Sequence, residues 1–153
     1  MSLLKVFSEE KSFKDFKVTG NLVPYTIYDK NEERNITKRY KRYRITFRTS
    51  TGSWYEIDTQ IQESIDFLRR NKLSLAGLFK KYNVIRAYLD FPVFLSIDDE
   101  IINQNEYFPI SLLKVTSDLG VGIQLGIYDK KYLDETNKDD IEKLLLMHDR
   151  GEY

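Results

Sequence analysis

The stretch from Pro109 to Tyr128, PISLLKVTSDLGVGIQLGIY, constrains the fold more than any other part of the chain. Proline suits the first position of a helix, because its missing N–H would have no partner there. Leu112, Leu113, Val115 or Thr116, and Leu119 then recur at helical spacing, and Gly120 supplies the left-handed residue that ends a helix. Val121, Ile123, Leu125 and Ile127 alternate straight afterwards as one face of a strand. On the other face Gly122, Gln124 and Gly126 let a neighbour come close, which predicts a central strand. A helix running directly into a strand points to a mixed fold.

The remaining elements fit that class. Phe13 to Val18 and Leu22 to Tyr28 read as two short strands about the Gly20-Asn21 turn, with Val23, Tyr25 and Ile27 on one face. Asp29 to Arg34 is a polar loop. In Arg42 to Arg48 the period is two: Tyr43, Ile45 and Phe47 point one way, and Arg42, Arg44, Thr46 and Arg48 the other. Ser50-Thr51-Gly52 is a turn and SWYEID at 53–58 alternates again, predicting an antiparallel hairpin in which the arginines stand near Glu56 and Asp58. Thr59 and Gln62 match a capping box ahead of Ile61, Ile65 and Leu68, in a helix ending near Asn71. Ser74 caps a second helix with Leu75, Leu78, Phe79 and Tyr82 as its stripe, closed at Asn83. In the strand from Val84 to Val93 the residues Ile85, Ala87, Leu89 and Phe91 face the core, and Pro92 places its end at an edge or a bend. Residues 94 to 107 fit a helical turn or a short strand equally well. Asn137 caps a last helix carrying Ile141, Leu144 and Leu145, with His148 and Arg150 near its end.

The whole chain reads as one α+β domain over residues 1–153, a mostly antiparallel sheet with helices packed on one side in two layers. Residues 1–12 are expected to be a loosely ordered or vector-derived start, without structural weight at Met1-Ser2-Leu3, and 132–153 a C-terminal helical extension. The length of 153 residues suffices for a single core, and 41% apolar with 14% aromatic residues excludes a disordered chain. No apolar run is long enough to cross a bilayer and the start lacks a signal-peptide pattern, so no membrane role and a cytoplasmic location are expected.

Chemistry is sparse. The chain has no cysteine, which removes disulfides, thiolate metal sites and cysteine nucleophiles together, and one histidine, His148, which cannot build a His-based metal site. Asp29 to Arg34 begins like a calcium loop but has Arg34 where glycine is required and Tyr40 where a bidentate glutamate belongs. Asp98-Asp99-Glu100 reads as a solvated acidic loop. No Gly-x-Ser-x-Gly elbow and no phosphate-binding glycine loop occurs. No catalytic residue, cofactor or metal is therefore assigned, and the chain reads as non-enzymatic, with an unrecognised carboxylate pair kept as an alternative.

The charge pattern supplies the candidate site. Lysine plus arginine and aspartate plus glutamate both total 24, yet Arg34 to Arg48 holds seven cations and no acid. Lys38, Arg39, Tyr40, Lys41, Arg42, Arg44 and Arg48 are the candidate partner-binding surface. The plainer reading makes them a solvated sheet face, paired in part with Glu56 and Asp58. As a contact surface they favour a protein partner, since Arg and Tyr dominate interface energetics and Tyr43 and Phe47 fall on the face away from the arginines, where they could not stack on bases. Tyr40 shares the arginines' side and keeps nucleic-acid binding as the runner-up. The oligomeric state is not fixed by the sequence.

Several segments together resemble a known family: SWYEID at 53–58, IQESIDFLRR at 61–70, FLSIDDEII at 94–102, SLLKVTSDLG at 111–120 and GIQLGIYD at 122–129. Their order is similar to that of small bacterial proteins catalogued as a domain of unknown function, number four-two-seven-nine, across roughly residues 13 to 129. Trp54, the Leu95-Ser96 pair and the Leu119-Gly120 to Ile127-Tyr128 element are its most specific parts. The resemblance implies a cytosolic bacterial α+β domain with immunity-type or accessory relatives, and it brings no catalytic residues. Trp54 itself reads as a packing residue, not a ligand platform.

Overall fold

A computed structural model describes residues 1–30, 42–95 and 103–128, together with the backbone of two short strands at 33–35 and 38–39. In chain order the elements are β1 (Leu3–Ser8), β2 (Thr26–Tyr28), β3 (Glu33–Asn35), β4 (Lys38–Arg39), β5 (Tyr43–Arg48), α1 (Ile57–Arg70), α2 (Lys72–Lys81), β6 (Val84–Phe94), α3 (Ile110–Leu119) and β7 (Gly122–Tyr128). Five strands form an open sheet in the order β2-β5-β1-β6-β7, and β3-β4 is a separate ribbon. All pairings in the main sheet are antiparallel except β6-β7, which is parallel and bridged by α3. The class is α+β, as expected. The proposed helix in 137–150 lies outside the described residues, as do 96–102 of the ambiguous segment.

The core lies between one sheet face and the three helices. Leu4 and Val6 of β1, Ile45 and Phe47 of β5, and Leu89 and Phe91 of β6 meet Ile61, Ile65 and Leu68 of α1, Leu75 and Leu78 of α2, and Leu112 and Val115 of α3. Phe13 packs on Tyr82 in a tilted ring pair at a centroid distance of 4.8 Å and joins this layer. α3 follows the sequence closely: Pro109 precedes it and Gly120 ends it at φ +67, donating to Ser117 O. Asn83 at φ +49 ends α2 in the same left-handed way.

Several expectations are corrected. The start is not loose: β1 is the middle strand, and the Ser2 hydroxyl lies within 2.7–2.9 Å of the hydroxyls of Thr49, Ser50 and Ser64 in a buried knot. β5 therefore pairs with β1 and β2, leaving no ladder for 53–58; Glu56 N–H donates to Ser53 O and α1 begins at Ile57. Thr59 falls inside α1, whose first turn has no side-chain cap, and α2 begins at Lys72, before Ser74. Phe13 to Val18 is not a strand, and only Thr26–Tyr28 of the second expected strand joins the sheet. Ile85 is 52% exposed because the β1-β6 register shifts by a bulge at Phe7/Ser8. β7 is an edge strand, its glycines lying opposite Tyr88 and Pro92 of β6. Pro92 is interior to β6 but beyond the β1 ladder, which stops at Asp90, so no β1 carbonyl awaits its missing N–H.

Candidate functional site: a two-arginine groove

The basic stretch is divided by the fold. Lys38 and Arg39 form the backbone of β4, opposite Asn35 and Glu33 in the ribbon, while Tyr40 and Lys41 lie outside the described residues. Arg42 is half-buried and its Nε donates to Glu9 Oε1 at 3.1 Å. Arg44 is only 3% exposed, with its guanidinium 4.3 Å above the Tyr28 ring, so it is not part of an open partner surface. The period-two pattern gave its side correctly. That side, however, is buried here, with Lys5, Thr46, Tyr88 and Asp90 alongside it. Arg48, at the strand's end, is exposed and stacks 4.9 Å over Tyr25. Among the described residues neither Glu56 nor Asp58 pairs with this row: Glu56 accepts from Ser53 N and Asp58 sits in the first turn of α1.

Beside Arg48 an open groove of about 370 Å³ runs between the approach to β2, the end of β5 and the last turn of α1. Val23, Pro24, Tyr25 and Phe67 form its apolar walls, Asn21 and Asn71 its amide edge, and Arg48 and Arg70 its two cations; among the described residues none that lines it is acidic. Each part has a local cause. Tyr25 is held by its own N–H, which donates to Thr46 O at 2.7 Å just ahead of β2. Arg70 comes from the helix end that favours cations, and its Nε donates to Asp66 O at 3.2 Å. Asn71 donates from Nδ2 to Phe67 O at 2.9 Å and closes the helix beneath the groove. Two planar guanidiniums over an apolar floor suit the paired recognition of carboxylates.

Tyr25 and Arg70 escaped sequence reasoning. Tyr25 carries the alternation of its strand, but its stacking under Arg48 follows from the β2-β5 register. Arg70 has no sequence signal beyond its place in a helix's last turn. Near the same end of β5, Glu63 accepts from Thr51 N at 2.6 Å and from Thr51 Oγ1, which holds its carboxyl below the usual glutamate range.

The sheet face that carries Arg44 holds a second polar group. Lys5 Nζ lies 2.7 Å from Asp90 Oδ2, with side chains 4% and 3% exposed. Burial first, then the charge of Asp90, pushes the Tyr128 phenol well above its ordinary range. As placed, the ion pair has no open side for a substrate. Among the described residues no group of three or more acids or histidines is gathered to hold a metal, and no helix is long and apolar enough to cross a membrane.

No family model, no curated protein and no solved structure matches this chain.

Proposed function

We propose that this protein is a non-enzymatic, cytoplasmic domain that acts by protein contact, its Arg48–Arg70 groove receiving an acidic segment of a partner. The observation that carries this reading is the lining: two exposed arginines, one of them stacked on tyrosine, beside exposed Val23. Arginine and tyrosine are the residues that most often anchor interfaces, and complementary charge sets orientation and association rate. The immunity-type or accessory role implied by the family resemblance is one form such contact takes. Tyr25 already has one ring face under a guanidinium, which leaves less of it for base stacking.

Nucleic-acid binding is the second reading, favoured by the β3-β4 ribbon, which holds Lys38 and Arg39 in a ladder separate from the main sheet. Two-stranded ribbons have a shape that enters a major groove.

The test is capture from a bacterial lysate on immobilised protein, with and without nuclease, beside an Arg48→Glu/Arg70→Glu variant. Both arginines are exposed, so the variant keeps its circular dichroism spectrum. The proposal expects a defined protein that survives nuclease and is lost with the variant. Binding abolished by nuclease and unchanged in the variant overturns it in favour of the ribbon.

A further inference from the structure

A second concavity lies where the loop before α1 meets the end of β6, and its chemistry is opposite to that of the arginine groove. Phe94 N–H donates to Trp54 O at 3.4 Å and Leu95 N–H to Tyr128 O at 2.7 Å, which ties this loop, β6 and β7 together. The Trp54 ring packs on Tyr128 at 4.6 Å and on Phe94 at 5.0 Å, and Tyr55, 63% exposed, lies 4.7 Å from Phe94. Between them is a notch of about 160 Å³ lined by Tyr55, Ile57, Val93 and Phe94 and by Trp54, which is only 5% exposed, with Gln104 and Glu106 at its side. Trp54 is thus the packing residue its sequence suggested, and it also lines a cavity.

Glu106 gives the notch its sign. The Gln104 amide donates to Glu106 Oε1 at 3.0 Å and to Phe94 O at 3.1 Å, so a neutral group fixes the carboxylate on the wall. Glu106 forms no ion pair among the described residues. Ring faces carry partial negative charge and attract cations, Tyr55 being the exposed ring at this notch, and a carboxylate adds to the attraction. An anion would be repelled, and a neutral apolar guest would desolvate the carboxylate without compensation. A hard metal ion needs several oxygen ligands, which one carboxylate and three rings do not supply. Guanidinium has five N–H donors to satisfy, whereas a quaternary ammonium has none and presents methyls to the rings. The notch is about half the size of the smallest drug-sized pockets, of roughly 300 Å³, and so takes a headgroup, not a large molecule.

We propose that the notch formed by Trp54, Tyr55, Phe94 and Glu106 binds a quaternary ammonium headgroup. Trp54 is the only tryptophan in the chain, so its emission reports the site directly. The experiment titrates the full chain with choline at constant ionic strength, and in parallel with the neutral isostere 3,3-dimethyl-1-butanol. A saturable change in emission is expected with choline, with the isostere about tenfold weaker or worse. Glu106→Gln and Tyr55→Leu should each weaken choline by about tenfold, while Glu106→Gln leaves the isostere as it was. Arg48→Glu/Arg70→Glu should leave choline binding unchanged, which separates this site from the contact groove. A blocked tripeptide with a central trimethyllysine distinguishes the source: tighter binding than choline assigns a chain-borne headgroup, and weaker binding a free small molecule. No saturable change with choline, an equal response to the isostere, or an unaffected Glu106→Gln variant overturns the proposal.

Discussion

Arg44 and Arg48 stand on one strand, point to one side and each stack on a tyrosine, yet the first is 3% exposed and the second is open to solvent. The difference comes from their neighbours. Arg44 lies opposite Phe7 of β1 and Tyr28 of β2, inside the sheet, whereas Arg48 lies opposite Leu3 at the end of the β1 ladder and past the β2 ladder. A basic alternation in sequence therefore reports which side a cation takes, and the strands on either flank decide whether it is buried in the sheet or faces solvent.

The buried half of this comparison should break most severely at the ion pair beside Arg44. Asp90→Ala removes the carboxylate that Lys5 meets inside the sheet and should cost about 3–5 kcal/mol in urea unfolding. Lys5→Met/Asp90→Leu should recover most of that loss, because an apolar pair of similar volume carries no desolvation penalty. If both variants unfold equally easily, the sheet face depends on packing and not on the charge pair.

Arg44→Ala comes next, at about 2 kcal/mol, from a desolvated cation–π contact and the buried stem of the side chain. Its counterpart Arg48→Ala should cost under about 1 kcal/mol, as an exposed stack does. Equal costs at the two positions would dissolve the distinction between a buried and an exposed arginine. The measurement is the same urea midpoint for both.

Much of the fold is legible because local chemistry agrees with tertiary context. Pro109, the leucine spacing and Gly120 define α3 and the turn into β7, and Tyr43, Ile45 and Phe47 take the core side of β5. The misses share a cause. β1 is buried on both faces, with Leu3 and Lys5 as enclosed as Leu4 and Val6, so LLKVFS shows no alternation and reads as a loose start. SWYEID alternates, but β1 had already taken the ladder it would need. The glycines of β7 suggest a central strand, yet at the edge Gly122 meets Tyr88 of its one neighbour and Gly126 makes room for the Tyr128 ring of its own strand. The site was half legible: Arg48 stands in the basic run, while Tyr25 and Arg70 join it through register and helix packing, which no local pattern encodes.

The smallest effect is pH-dependent. The Glu63 carboxyl titrates below its unfolded value because Thr51 donates to its charged form. Its contribution is fully present above the unfolded glutamate pKa, about 4.3, and is lost as pH falls through the lower folded value. Glu63→Gln should therefore flatten the melting temperature slightly between neutral pH and the acid limb. An unchanged acid limb would remove Glu63 from the account.

The groove itself is tested most directly by a proton–nitrogen NMR titration of the labelled full chain with a blocked peptide alternating glutamate and phenylalanine. A single-stranded oligonucleotide serves as the comparison, and Arg48→Glu/Arg70→Glu as the control. The account predicts saturable shifts at the amides of Val23, Tyr25, Arg48, Phe67 and Arg70 with the peptide, lost in the control. Shifts with the oligonucleotide alone, or peptide shifts away from the groove that persist in the control, would contradict it.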